Sequence, residues 1–379
     1  MDGMGTDRRQ ASGPTYAGDT TCAGDPAQAG TPQLDPHAAQ PGDDAQAAPG
    51  CARSHPAPRV LVLGGAGFIG RHVVAALCAQ GAHPIVGSRH PQRRLCHLHG
   101  VTEARETHVE HMLAPGDWHA VLQDCDAVIN CVGILRQRWG ETYDRVHHRA
   151  PAALAAACAA RGLRLVHVSA LGLDSPARSR FLTSKRAGEA AIRAAGGDWH
   201  IARPSLLDGE GGFGARWMRR VARWPIHPLP RGAVGRIAAL DVGDLGTALA
   251  RLTLAEPHSP LLTVREHELG GDDTRTLGEH LAALRALTGR APAATLRVPD
   301  PLVRLTAHLC DLLHCTPLSF GHWELLQRDN LPRENRLGRL LGLAPQPVGA
   351  TVSPPRADDR QQTRTPRLMT SLDAVMGDP

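Results

Sequence analysis

The sequence predicts an α/β fold with a doubly wound parallel sheet and a small, mostly helical C-terminal cap. Short apolar runs alternate with amphipathic helical segments, the connections are short, and a glycine-rich strand-to-helix junction opens the series. Alternation of this kind is typical of a parallel sheet that is covered by helices on both faces. After residue 204 it gives way to Pro- and Gly-rich segments and then to a group of helices, which we assign to the cap.

The individual elements follow from apolar periodicity and from glycines that end helices, such as Gly81 and Gly162. Short apolar runs predict strands at 60–63, 84–87, 108–112, 127–132, 163–169 and 199–202. Apolar residues at helical spacing predict helices at 68–80, 118–122, 143–158 and 182–195. In the C-terminal third we expect a strand at 261–264 and helices at 244–254, 276–288, 301–313 and 319–328.

Four regions are expected along the 379 residues. Residues 1–56 are rich in Ala, Gly, Pro, Asp and Gln without an apolar period, which indicates a disordered extension or an over-extended gene start. Residues 57–207 form the domain with the glycine-rich junction. Residues 208–345 form the cap region, part of which returns to the sheet, and residues 346–379 form a disordered tail.

Composition excludes several classes of function. The net charge is +5 and the basic residues are scattered, so nucleic acid is not an expected partner. Nine cysteines without framework spacing favour free thiols in a reducing compartment. His or Arg interrupts the longest apolar runs, so we expect no transmembrane segment and a cytoplasmic protein. Cys96 with His99, and His308 with Asp311 and Cys315, lack paired ligand spacing, and we predict no metal site.

The glycine-rich junction has the chemistry of a phosphate site. Gly64, Gly67 and Gly70 follow the first strand at equal spacing, and a helix opens among them at Phe68 and Ile69. Backbone N–H groups at a helix start, together with the helix dipole, attract an anion such as a pyrophosphate. The three glycines would permit the turn, the approach of the pyrophosphate and close helix packing. The alternative interpretation is a tight structural corner without a ligand.

The end of the second predicted strand distinguishes two dinucleotides. An acidic residue about 20 positions past such glycines holds the ribose hydroxyls of NAD, but this stretch ends in Ser88 and Arg89. A guanidinium can pair with a 2′-phosphate, and a carboxylate would repel it. We therefore expect NADP rather than NAD as the cofactor. The alternative is that Arg89 is a solvated loop charge.

Five stretches read together carry a family resemblance: the glycine loop, 130–133 (Asn-Cys-Val-Gly), 168–172 (Val-Ser-Ala-Leu-Gly), 184–189 (Ser-Lys-Arg-Ala-Gly-Glu) and 202–205 (Ala-Arg-Pro-Ser). Over residues 58–343 the chain resembles the extended and atypical short-chain dehydrogenase/reductases, which include NAD-dependent epimerase/dehydratase-like proteins. It looks most like the branch that contains the NAD(P)H-binding accessory subunit of respiratory complex I and its bacterial relatives. The resemblance implies a Rossmann domain.

The resemblance assigns roles to individual residues. It implies that Lys185 holds the ribose hydroxyls of the nicotinamide half of the cofactor. It also implies that one short segment lies beside the cofactor, namely Asn130, Cys131, Val132 and Gly133. A second segment closes over the nicotinamide end, namely Arg203, Pro204 and Ser205.

The chain departs from the family where protons are transferred. The catalytic tyrosine of the family lies four residues before the lysine, and Phe181 stands at that position. Phenylalanine cannot donate or accept a proton. The serine that orients a substrate carbonyl falls on Ala170 in the alignment, and a shift of one residue places it at Ser169.

Three functions remain open from the sequence. The leading hypothesis is an NADP(H)-binding protein with weak or no classical dehydrogenase chemistry, which the resemblance connects with a respiratory-complex or quinone-related partner and with peripheral attachment to the inner membrane through that partner. The alternative is an active NAD(P)-dependent oxidoreductase or epimerase/dehydratase acting on a small carbonyl or sugar-nucleotide substrate, with another proton donor. A cofactor-free scaffold would leave Arg89 and Lys185 without these roles.

Overall fold

The computed structural model of the protein describes residues 57–91, 100–101, 103–173, 179–313 and 320–349, and for residues 307–313 and 320–322 the backbone alone. The predicted extension at 1–56 lies outside this description, as do Cys96, His99 and Cys315 and the side chains of His308 and Asp311. Residues 346–349 of the predicted tail lie within it, and Val348 is buried.

Seven parallel strands form the main sheet, in the order β3-β2-β1-β4-β5-β6-β11. The first strands follow the apolar runs of the sequence, and their side chains are almost completely buried because helices cover both faces. The strands are β1 (Arg59–Leu63), β2 (His83–Ser88), β3 (Glu103–Glu106), β4 (Ala127–Asn130), β5 (Arg164–Val168), β6 (Trp199–Pro204) and β11 (Glu266–Leu269).

Helices pack on both faces of the sheet, as doubly wound topology requires. They are α1 (Phe68–Ala79), α2 (Ala150–Arg161), α3 (Arg180–Ala195), α5 (Val242–Leu254) and α9 (Leu337–Leu341). On one face the core combines α1, α5 and α9 through residues such as Val73, Leu249 and Leu340. On the other face α2 and α3 contribute Leu154 and Ile192. The prediction of an α/β fold with a doubly wound parallel sheet is confirmed.

The C-terminal cap combines helices with two-stranded sheets. Its helices are α4 (Phe213–Ala222), α6 (Leu277–Ala286), α7 (Asp300–Leu313) and α8 (Phe320–Leu326). The short strand pairs are β7 (Leu207–Asp208) with β10 (Leu240–Asp241), β8 (Ile226–Pro230) with β13 (Ala294–Val298), and β9 (Arg236–Ile237) with β12 (Arg275–Thr276). Leu281 and Leu284 of α6 pack on Val221 of α4 in the cap core.

Three predicted elements are wrong in type or place. The third strand lies at Glu103–Glu106 rather than 108–112; it is an edge strand with charged side chains, so it lacks an apolar run. The predicted helix at 118–122 is replaced by one 3₁₀ turn at Pro115–Trp118, which contains Pro and Gly. The predicted strand at 261–264 is replaced by a 3₁₀ turn at Pro260–Leu262, and β11 follows it with alternating buried and half-buried residues.

Candidate functional site

A cavity of about 1160 Å³ opens at the carboxyl ends of the sheet strands and continues into the cap. The ligand sites of open α/β sheets lie at this edge. The glycine loop, the ends of β2, β4 and β5, and helix α3 form its first half. The second half is lined by cap residues, chiefly apolar ones from α4, α6 and α7.

The glycine loop forms an open cradle at the start of α1. Gly64 has a positive φ of 71°, and its N–H donates to the carbonyl of Gly87 at 2.9 Å. A Cβ on Gly70 would lie 2.1 Å from the carbonyl oxygen of Gly64, so only glycine lets α1 approach the loop this closely. No side chain caps the N-terminus of α1. These features fit the pyrophosphate of a dinucleotide, which would take the place of a cap.

Arg89 lies at the predicted position, at the end of β2 on the cavity wall. Its guanidinium forms an ion pair with the carboxylate of Glu141, and the arginine side chain is about half exposed. Ser88 lies beside it, and its hydroxyl accepts from the backbone N–H of His90 at 3.4 Å. The sequence provided no signal for Glu141, because 52 residues separate the two partners.

Asn130 holds the backbone beside the cavity instead of lining it. Its side-chain oxygen accepts from the N–H of Val132 at 3.0 Å, and its amide nitrogen lies 3.2 Å from Nδ1 of His167. The residues that follow, Cys131, Val132 and Gly133, line the cavity. Burial raises the pKa of the Cys131 thiol to about 12, so this part of the wall is uncharged.

His147 is a site residue that the sequence did not identify as buried. Its Nε2 accepts from the N–H of Ile134 at 3.0 Å, so the proton lies on Nδ1, which is 3.1 Å from the hydroxyl of Ser184. That hydroxyl donates to the carbonyl of Phe181 at 2.9 Å. Burial lowers the pKa of His147 well below its ordinary value, and the charge of Lys185 acts in the same direction. The imidazole is therefore neutral and fixed in orientation.

Lys185 extends into the cavity from α3. Its ammonium lies 5.7 Å from the centre of the Phe181 ring, and none of the residues that the structure describes forms a hydrogen bond with it. Burial lowers the pKa of Lys185 to about 8, although the carboxylate of Glu189 opposes this change. Phe181 packs against His147 and Tyr143, with ring centres 5.5 and 5.8 Å away.

Arg203 lies outside the cavity lining. Its guanidinium binds both carboxylate oxygens of Glu189, at 2.9 and 2.6 Å, and lies 2.8 Å from Glu266 on β11. Burial acts to raise the pKa of Glu189, but the hydrogen bonds and positive charges of its neighbours, Arg203 first and Arg193 with it, together lower the pKa of this carboxyl. The cluster fastens α3 to β6 and β11.

The other predicted residues divide clearly between cavity and support. Ser205 lines the cavity, but its hydroxyl forms a structural hydrogen bond, because it donates to the carbonyl of Asn330 at 2.9 Å. Gly70, Asn130 and Arg203 support the wall from behind. Predicted residues that line the cavity are Gly64, Gly67, Phe68, Ile69, Ser88, Arg89, Cys131, Val132, Gly133, Ser169, Phe181, Lys185, Pro204 and Ser205.

Comparisons with known proteins agree with this geometry. A family described as NAD(P)H-binding matches residues 64–239. The ceramide reductase of Caulobacter vibrioides is 31% identical over 284 residues, which span 72% of this chain and 86% of that protein. The NADH dehydrogenase [ubiquinone] 1 alpha subcomplex subunit 9 of Arabidopsis thaliana is 27% identical over 65% of this chain and 61% of its own length.

Solved structures show the same fold at low identity. The NADPH-dependent quinone oxidoreductase QOR2 of Escherichia coli, complexed with NADPH, aligns with a TM-score of 0.59 and 16% identity, over 76% of this chain and 96% of that one. The Bordetella bronchiseptica enzyme WbmG in complex with NAD aligns with a TM-score of 0.56 and 16% identity, over 78% and 91%.

A Rossmann sheet with an open glycine cradle at its carboxyl edge defines an NAD(P)H-binding protein. The chain belongs to the atypical short-chain dehydrogenase/reductase family, as its NAD(P)H-binding match and its ceramide reductase relative show. In the described part of the chain, no helix is long and apolar enough to span a bilayer. Among the same residues, no group of three His, Cys, Asp or Glu side chains could hold a metal ion.

Proposed function

We propose that the chain is an NADPH-dependent reductase of a long-chain, lipid-type carbonyl compound. The observation that carries this proposal is the shape of the cavity, which continues from Lys185 and Ser169 into an apolar arm inside the cap. A sugar-nucleotide site needs polar groups that bind hydroxyls, whereas this arm matches a hydrocarbon chain. The relative that is named ceramide reductase supports the same class of substrate.

The residues that line the apolar arm have the chemistry that binds an acyl chain. Helix α4 contributes two large half-buried side chains, Trp217 and Met218, and α6 contributes Leu277 and Leu281. Burial of a hydrocarbon chain against such walls contributes about 0.8 kcal/mol per methylene group. Substrate affinity should therefore increase with chain length until the arm is filled.

The side chains at the inner end of the arm suit carbonyl reduction. When bound, NADPH supplies a hydride to the carbonyl carbon. The ammonium of Lys185 takes the role of the missing tyrosine hydroxyl: it donates a proton to the carbonyl oxygen. Lys185 then recovers a proton from water. Ser169 lines the same wall, and in the proposed reaction its hydroxyl orients the carbonyl. The lowered pKa of Lys185 makes its ammonium a stronger acid than an ordinary lysine.

The dependence of activity on chain length tests this function. We expect NADPH oxidation with long-chain ketones, including 3-ketoceramide and 3-ketosphinganine, and little with acetone-sized ketones or quinones. Met218→Trp should shorten the usable arm and raise KM for the longest substrates at least about tenfold. The larger side chain would occupy part of the arm, so the last methylene groups of the substrate would remain in water. Met218→Leu preserves volume and is the control. Equal rates with short and long ketones would contradict the proposal.

Cofactor choice is a separate prediction. The 2′-phosphate of NADPH would take the place of Glu141 at Arg89, so we expect NADPH to bind more tightly than NADH. Arg89→Ala should remove most of this preference, roughly tenfold to a hundredfold in Kd, because a charge-assisted contact is lost. Glu141→Gln should strengthen NADPH binding by removing the competing carboxylate. Calorimetry measures the Kd of NADPH and of NADH for each variant, and Arg138→Ala, at an exposed arginine, is the control. Equal affinities of the unchanged protein for NADPH and NADH would refute the assignment of Arg89 to the 2′-phosphate.

A second candidate function is favoured by Phe181. The ring fills the position of the family tyrosine and packs on His147 and Tyr143, so the site can hold a cofactor without classical proton transfer. A cofactor-holding subunit with a protein partner, peripheral at the inner membrane, would resemble the complex I relative. Tight NADPH binding without turnover on any long-chain ketone, including 3-ketoceramide, would favour this function over the first.

A further inference from the structure

We propose that the cap surface around the outer end of the cavity docks on an anionic lipid bilayer. We call this surface the cap face; it consists of the outer side of α4, the segment 223–225, and the apolar side of the β8–β13 pair with Leu302 and Leu305. The proposal does not depend on the reaction described above. It concerns which surface the protein presents to lipid.

An apolar stripe leads from the inside of the cavity to solvent. Strands β8 and β13 are parallel and in register, so paired residues point to the same side. One side therefore carries Ile226, Pro228 and Pro230 opposite Ala294, Leu296 and Val298. Pro228, Pro230 and Val298 line the cavity. Ile226 and Leu296, on the same side, are 51% and 57% exposed.

Further large apolar side chains surround this stripe. Trp224 lies two residues before the start of β8 and is 45% exposed. Leu302 of α7 lines the cavity and is also half exposed, so it lies at the cavity mouth, and Leu305 one turn further along is more exposed still. Exposed apolar side chains that continue into an apolar cavity indicate a surface that is covered in function.

The helix next to the stripe carries its positive charge on one face, and few acidic residues lie nearby in the sequence. Arg216, Arg219, Arg220 and Arg223 recur at helical spacing and share the outer face of α4, while Trp217, Met218 and Val221 face the cavity. Residues 213–234 and 290–305 contain eight arginines and a single acid, Asp300, whose carboxylate accepts from the N–H of Gly232. Arg219 pairs with Asp208.

The arginines and the stripe form one continuous surface. The chain passes directly from α4 through Arg223, Trp224 and Pro225 into β8, and Arg290 donates to the carbonyl of Arg223 at 3.0 Å. A basic helix face beside Trp, Ile and Leu side chains is the pattern of an interfacial membrane-binding surface. Nucleic acid would use the arginines, but it has no contacts for exposed Ile226, Leu296 and Leu305, and it does not explain their continuity with the cavity.

Both the arginines and the exposed apolar side chains of the cap face should contribute to vesicle binding. A cation near an anionic bilayer changes affinity by about fivefold. Reversing three charges at Arg216→Glu, Arg220→Glu and Arg223→Glu should therefore weaken binding at least about a hundredfold. Replacing the apolar pair, Ile226→Ser with Leu296→Ser, should weaken binding about tenfold or more and should do so at high salt as well, because apolar insertion is not screened.

Vesicle co-sedimentation tests the cap face on the full chain. The unchanged protein should sediment with phosphatidylcholine vesicles that contain phosphatidylglycerol and should remain in the supernatant with pure phosphatidylcholine. The control triple Arg149→Glu, Arg161→Glu and Arg339→Glu reverses three exposed arginines outside the cap, and Leu343→Ser changes an exposed leucine elsewhere. Both controls should sediment like the unchanged protein, and NADPH binding verifies that all variants fold.

Three outcomes would overturn the proposal. The first is that the unchanged protein fails to sediment with anionic vesicles. The second is that the control triple loses as much binding as the α4 triple, which would show nonspecific charge attraction. The third is that duplex DNA, mixed with the protein in a gel-shift assay, binds with the same sensitivity to the α4 triple while vesicles do not bind.

Discussion

Replacing Lys185 with arginine is expected to lower the turnover of long-chain ketone reduction about a hundredfold to ten-thousandfold, the usual contribution of general acid catalysis. Arginine keeps a positive charge over the Phe181 ring, so cofactor affinity should change much less than kcat. Its guanidinium does not release a proton near neutral pH, so it cannot donate a proton to the carbonyl oxygen. Stopped-flow measurement of NADPH oxidation in single turnovers isolates this step.

The same residue determines the expected pH profile. Burial lowers the pKa of Lys185 to about 8, so the ammonium is the major form below pH 8 and is lost above it. Reduction should therefore decline as the pH rises through about 8, because the acid form donates the proton. Lys185→Arg should lack this decline. Phe181→Tyr should restore a hydroxyl near the ammonium and raise kcat. Unchanged single-turnover rates in Lys185→Arg would show that another residue is the donor.

Replacing Arg203 with methionine is expected to lower the free energy of unfolding by about 3–5 kcal/mol, because it leaves the buried carboxylate of Glu189 without its main partner. Glu189 is only 1% exposed, and two hydrogen bonds from Arg203 satisfy its oxygens. Loss of the contact with Glu266 would also loosen β11 from β6. Urea denaturation followed by circular dichroism measures the effect.

Two further variants make the result specific. Glu189→Gln in the Arg203→Met background should recover part of the loss, since it removes a buried charge that keeps its contact with Arg193 but has lost the one with Arg203. Arg236→Met breaks an exposed ion pair with Asp329 and should leave the free energy of unfolding nearly unchanged, because solvent screens such pairs. A loss in Arg203→Met no larger than in Arg236→Met would contradict the role of the buried cluster.

The sequence was most informative where a local pattern determines local structure. The apolar run at 60–63 and the glycines that follow were sufficient to predict β1, α1 and the glycine turn between them, because strand, turn and helix are all encoded within a dozen residues. The family resemblance assigned Phe181 and Lys185 to the site, and both line the cavity four residues apart on one helix. Edge strands such as β3 and β11 were missed because their charged or alternating residues lack an apolar run.

Contacts between distant segments could not be predicted in this way. Glu141 reaches Arg89 across 52 residues, and the hydrogen bonds around His147 connect three separate segments. The apolar arm of the cavity arises only when α4, α6 and α7 pack over the sheet. Arg203 was assigned to the cofactor by resemblance, but its partners come from α3 and β11, and the sequence contains no signal for that pairing.

The position of β11 has a consequence for how the chain is made. This strand completes the sheet beside β6, but its first residue, Glu266, is translated more than 60 residues after Pro204. Until then, β6 has an open edge whose backbone N–H and C=O groups can pair with another nascent chain. The cap elements that precede β11, among them α4 and the strands β7 to β10, must therefore be synthesised before the sheet is closed. This interval is the stage at which the growing protein depends most on protection from aggregation.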